Sequence, residues 1–87
     1  MTASEIARVV GGELEGDPTV AVVGAEVDSR RLEPGDLFVA LPGARCDGHD
    51  FVESAFQIAV AALVRRDAKL EAPPPECALV RVDDPFD

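Results

Sequence analysis

Residues 27–51, VDSRRLEPGDLFVALPGARCDGHDF, gather most of the side chains in this sequence that could do chemistry. Ser29 stands between Asp28 and Arg30 with no adjacent base. A serine nucleophile needs one, so the hydroxyl is read as a hydrogen-bonding group, toward a ligand or toward the turn backbone. Arg30 and Arg31 offer guanidinium groups suited to a diphosphate through charge-assisted hydrogen bonds. The competing reading of Arg30 is an exposed side chain or an ion pair with Asp28 or Asp36. His49 is the one histidine, and Asp47-Gly48-His49-Asp50 supplies too few donors for the four-ligand set of a structural zinc site. It reads as a hydrogen-bond partner that fixes its loop. Cys46 lies between Arg45 and Asp47, yet spacing sets no histidine beside it to make it a nucleophile. Neither G-x-x-x-x-G-K-S/T nor G-x-G-x-x-G occurs in the sequence, so no phosphate-cradling motif for ATP is present. The residue types point to binding.

The elements that must position these groups follow from periodicity and punctuation. Thr2 and Glu5 have the spacing of a capping box, and Ile6, Val9 and Val10 follow at helical spacing up to Gly11-Gly12. Residues 13–15 read as a brief strand and 16–18 as a turn. Residues 19–23 are β-branched and apolar and predict a strand ending at Gly24, after which residues 25–28 extend into the polar turn. Pro34-Gly35 fits the centre of a type II turn. The apolar run that follows predicts a strand over 36–41, buried on both faces. A second helix is expected to open at Asp50, with Glu53 completing a capping box and Val52, Ala55, Phe56 and Ala59 as its buried stripe. Residues 61–64 and 78–82 read as buried strands, joined through a Pro73-Pro74-Pro75 loop of polyproline II character. The expected order is α-β-β-β-α-β-β, an α/β fold: a small mixed β-sheet packed by two or three helices. Ligand loops of such a sheet lie beside strand ends, here residues 27–30 and 42–49.

Eighty-seven residues make one small domain, and a chain this short buries a modest share of its surface. Four phenylalanines are its only aromatics, so the core is aliphatic. The formal net charge of −9 argues against nucleic acid or an anionic membrane as partner, since both require clustered Lys and Arg. Cys46 and Cys77 form no disulfide framework or metal spacing, which points to a reducing compartment, and Cys77 reads as buried packing. The N-terminus lacks the pattern of a signal peptide, and no apolar run reaches the length of a membrane span. A cytoplasmic domain is expected.

The same stretch closely resembles the N-terminal domain of Mur ligases, the enzymes that build the peptidoglycan stem peptide. The matching positions are Asp28, Ser29, Arg30, Pro34, Gly35, Phe38, Ala40, Gly43, Asp47, Gly48, His49 and Phe51. The likeness extends to the opening helix with its Gly11-Gly12 end, to residues 59–64 and to residues 80–84. It implies that this domain holds the UDP end of a UDP-N-acetylmuramoyl-peptide. Carried over by position, contacts to the UDP moiety fall at Val27, Ser29 and Arg30 in the first loop and at Ala44, Arg45 and Cys46 in the second. Asp28, Asp47 and His49 support the loops. Backbone and hydroxyl groups suit the uracil edge, and an arginine suits the diphosphate.

Two family members share this kind of domain, the ligase adding the third stem-peptide residue and the one adding D-alanyl-D-alanine. FVALPGARCDGHDF resembles the second more. A free-standing binding domain that kept the fold and lost the ligase is the rival from another class. The resemblance further implies that ATP and Mg²⁺ belong to a central domain and the incoming amino acid to a third, both outside these residues. The chain alone is then expected to be inactive. Where the family has a glycine after the second helix this sequence has Ile58, and a β-branched residue at positive φ is strained. The helix is therefore expected to end differently or to run on.

Overall fold

A computed structural model describes residues 1–40, 52–66, 70 and 72–83. Among these, helix α1 (Ala3–Val10) is followed by strands β1 (Glu13–Gly16) and β2 (Gly24–Glu26). A single 3-10 turn (Ser29–Arg31) leads to β3 (Asp36–Val39), and then come helix α2 (Val52–Ala55), β4 (Ala61–Arg65) and β5 (Ala78–Val82). The strands form one sheet in the order β1-β5-β4-β3-β2. β2, β3, β4 and β5 run parallel, and β1 is antiparallel to β5. The sheet is mixed and the fold α/β, with the expected order of elements.

Alternation along the strands explains why both faces are covered. Leu37, Ala61, Leu63, Ala78, Val80 and Val82 point to the side of α1, where Ile6 and Ala7 pack. Phe38, Ala62, Val64 and Leu79 point to the other side, where Val52, Ala55 and Ala59 close the core. A strand buried on both faces is apolar where it crosses the core, and after Asp36 at its start β3 reads Leu-Phe-Val, continued by Ala40. Among the described residues Phe38 is the largest of the fully buried side chains. β1 is an edge strand and carries charge: Glu15 pairs with Arg81 at 3.4 Å, while Glu13 pairs with Arg66 at 2.7 Å. Charged edges resist pairing with a second chain.

The local signals at the start of the chain act as expected. The Thr2 hydroxyl accepts from the Glu5 N–H at 3.2 Å, and the Glu5 carboxylate accepts from the Thr2 N–H at 3.0 Å. The Thr2 N–H, and after it the Thr2 hydroxyl donating to the same carboxylate at 3.2 Å, pull the Glu5 carboxyl below its ordinary range. Gly11 caps the C-terminus of α1 in the left-handed region, at φ 69°.

Three expectations need correction. Residues 19–23 are not a strand. Residues 20–22 bond to the N-terminus instead, with Ala3 N–H to Val20 O at 3.0 Å, Val22 N–H to Met1 O at 2.7 Å and an isolated bridge between Thr2 and Ala21, while the Thr19 N–H goes to Asp17 and the Val23 N–H to Gly35 O. The strand lies just after, at β2, where the free edge of β3 offers partners. β3 ends at Val39, short of the expected 41, and Leu41 is outside the described residues. α2 is shorter than expected, a helix over Val52–Ala55 that tightens at once. Gln57 N–H bonds Ser54 O at 3.1 Å and Ile58 N–H bonds Ala55 O at 2.9 Å, both three residues back. Such i→i−3 bonds close a helix without a left-handed residue. Among the described residues no non-glycine has positive φ, so Ile58 sits unstrained. The proposed cap at Asp50 lies outside the described residues.

Candidate functional site

The C-terminal ends of β2 and β3 are neighbours, because the two strands are parallel and Glu26 pairs with Phe38. Residues 27–31 leave β2 there, and the chain leaves β3 one residue beyond that pair. Crevices at the carboxyl ends of parallel strands are where α/β sheets bind ligands. The two loops read from sequence therefore start from adjacent strand ends. Of the second loop, Ala44, Arg45, Cys46, Asp47 and His49 lie outside the described residues.

The first loop is built from its own carboxylates. Glu26 Oε2 accepts from the N–H of Val27 at 3.0 Å and of Asp28 at 3.4 Å. Asp28 Oδ1 then accepts from the Arg30 N–H at 2.9 Å, which starts the 3-10 turn at Ser29–Arg31. The same carboxylate takes the Arg30 guanidinium, with Nε at 3.1 Å from Oδ1 and Nη2 at 3.0 Å from Oδ2. Of the two pairings open to Arg30 in the sequence, Asp28 is the partner. Asp36 instead accepts from the Glu33 N–H at 3.0 Å and tightens the turn ahead of β3. That turn is type II in its bonding, with Asp36 N–H to Glu33 O at 3.1 Å and Gly35 at φ 93°.

The Arg30 guanidinium and its backbone N–H hold the Asp28 carboxyl down to about 2. In return Asp28 raises the Arg30 guanidinium above its ordinary value. The arginine side chain is 87% exposed, so this fork faces solvent. Two of the guanidinium's five N–H groups are used by Asp28. Val27 is 55% exposed, a β-branched apolar side chain facing water at the mouth of the loop. The loop thus presents a cation, an apolar side chain and a carboxylate-held backbone.

Elsewhere the described surface includes apolar concavities. One, of about 330 Å³, is lined by Val52, Phe56, Leu70 and Pro73. Another, of about 370 Å³, lies between α1 and the β2 edge, against Met1, Ile6, Val23 and Leu37. Neither includes Val27, Ser29 or Arg30. Cys77 is buried, and burial raises its thiol above the ordinary value. Among the described residues no group of three His, Cys, Asp or Glu is placed to hold a metal ion. No described helix is long and apolar enough to cross a membrane.

Glu26 is the loop residue that sequence reasoning missed.

Comparison with known proteins gives these loops a context. The family model described as "Mur ligase family, catalytic domain" matches residues 21–81. The chain is 41% identical over 85 residues to a UDP-N-acetylmuramoyl-tripeptide--D-alanyl-D-alanine ligase of Bacillus subtilis, covering 95% of this chain and 18% of that protein. It is 38% identical over 64 residues to a UDP-N-acetylmuramoyl-L-alanyl-D-glutamate--2,6-diaminopimelate ligase of Gloeobacter violaceus, covering 74% of this chain and 13% of that one. In three dimensions it matches a crystal structure of MurF from Acinetobacter baumannii with a TM-score of 0.77 at 31% identity, over 97% of this chain and 18% of the other. The chain therefore spans under a fifth of the length of these relatives. Its sequence and its fold agree: this chain belongs to the Mur ligase family, and MurF-type ligases are among its relatives.

Proposed function

We propose that these 87 residues form the domain that binds the UDP end of the substrate in an ATP-dependent peptidoglycan-precursor ligase. The reaction of the whole enzyme would join D-alanyl-D-alanine to UDP-N-acetylmuramoyl-tripeptide. ATP would phosphorylate the terminal carboxylate with release of ADP, the dipeptide amine would attack the acyl phosphate, and phosphate would leave as the amide forms. ATP and Mg²⁺ would be held by segments other than these, since no phosphate-loop motif occurs here. This chain's part would be to anchor the nucleotide through Val27, Ser29 and Arg30 and through Ala44, Arg45 and Cys46, with Asp28, Asp47 and His49 supporting the loops. Remote binding energy of that kind positions a distant reacting centre.

The observation that carries this reading is the parallel pairing of β2 with β3, which sets the starts of both loops side by side at the carboxyl edge. The 41% identity to a ligase with the D-alanyl-D-alanine name supports the choice of reaction. The 38% identity to a diaminopimelate ligase favours a second reading, in which the same domain serves the enzyme adding the third residue.

Calorimetric titration tests the role of the domain. UDP-N-acetylmuramoyl-tripeptide should bind the chain, UDP should displace it, and ATP should give no saturable heat. Saturable binding of ATP without binding of UDP would contradict the proposal.

A further inference from the structure

Glu26 holds two successive backbone N–H groups, those of Val27 and Asp28, on one carboxylate oxygen. Hydrogen bonds to an ionised acceptor are roughly twice as strong as neutral ones. This acceptor sits on the adjacent residue, so it is always at hand. A ligand oxygen that accepts from the Val27 N–H must therefore displace a carboxylate rather than a water. Val27 is exposed, so that N–H lies at an open mouth.

We propose that Glu26 is an internal stand-in for the ligand: its carboxylate occupies the backbone donors of the first loop until a nucleotide oxygen takes them. The inference rests on the reading of that loop as a nucleotide site. Glu26 thereby sets the affinity of the loop without contacting the bound ligand, a positioning residue that acts through the Val27 and Asp28 backbone. When the ligand binds, the carboxylate swings out to solvent and the two N–H groups change partner.

The test uses the whole chain, wild type and the variants Glu26→Gln and Glu26→Ala, titrated with UDP and followed by amide NMR shifts. Glu26→Ala removes the competitor and should lower Kd about three- to tenfold. Glu26→Gln keeps a neutral acceptor and should fall between. All three proteins should show ligand-dependent shifts at residues 27–31, and melting curves of the free proteins check that each variant folds. Equal or weaker binding by both variants, with shifts still at 27–31, would overturn the stand-in role and leave the nucleotide reading intact. An absence of shifts at 27–31 in every protein would overturn both.

Discussion

Asp28 is the residue on which the first loop turns. Its carboxyl is held at about 2, against an ordinary 3.8, chiefly by the Arg30 side chain. A carboxyl depressed in the fold stabilises it above the unfolded-state value and loses that contribution as pH falls through the folded value. The melting temperature of the wild type should therefore exceed that of Asp28→Asn at neutral pH. The gap should close between about pH 4 and pH 2, as thermal melts over that range would reveal. The pair is exposed, so the neutral-pH gap is small, and added salt should narrow it. Gly35 offers a sharper test. A Cβ there would meet Val23 Cγ2 at 2.7 Å, and φ is 93°. Gly35→Ala should cost about 1–2 kcal/mol of unfolding free energy, measured by urea denaturation. A neutral result would mean that the turn ahead of β3 is not the one described.

At the scale of elements, what was legible in the sequence was whatever local chemistry decides. The Thr2–Glu5 capping box, the Pro34-Gly35 turn and the continuous apolar run of β3 each need only neighbouring residues. β2 was misplaced because strand formation depends on a partner. Residues 19–23 have the better β propensity, but the N-terminal residues take the hydrogen bonds of Val20 and Val22. Gly24–Glu26 has poor propensity and is a strand because β3 lies beside it. The end of α2 was undecided for a related reason, since without a glycine at position 58 the helix could end differently or run on. The i→i−3 turn closes it here, so Ile58→Gly should bring no gain and should cost about 0.5–1 kcal/mol through backbone entropy. A stabilised Ile58→Gly protein in urea melts would imply a left-handed site instead. The candidate site was legible only in part. Type and spacing singled out residues 27–30, and topology sets them at a sheet end. Glu26 went unread because a glutamate at the end of a strand looks like any solvated charge.

For the whole molecule, one sheet divides the interior into two aliphatic layers, and β3 serves both, with Leu37 toward α1 and Phe38 toward α2. Phe38 has 1% of its surface exposed. Phe38→Ala should cost about 3–5 kcal/mol, a large share of the ~5–15 kcal/mol typical of a small domain, and it should loosen the strand whose end lies beside the first loop. Chemical denaturation would measure the loss, and a cost below 1 kcal/mol would contradict a core centred on β3. The proposed function requires the nucleotide end of the substrate to be held at the carboxyl edge of β2 and β3. Amide NMR shifts during titration of the chain with UDP-N-acetylmuramoyl-tripeptide address this most directly. Shifts clustered at residues 27–31, together with residues 43–49, are the predicted result. Shifts confined to the concavity of Val52, Phe56 and Leu70 or to the one beside Met1 and Val23, with residues 27–31 unmoved, would contradict it.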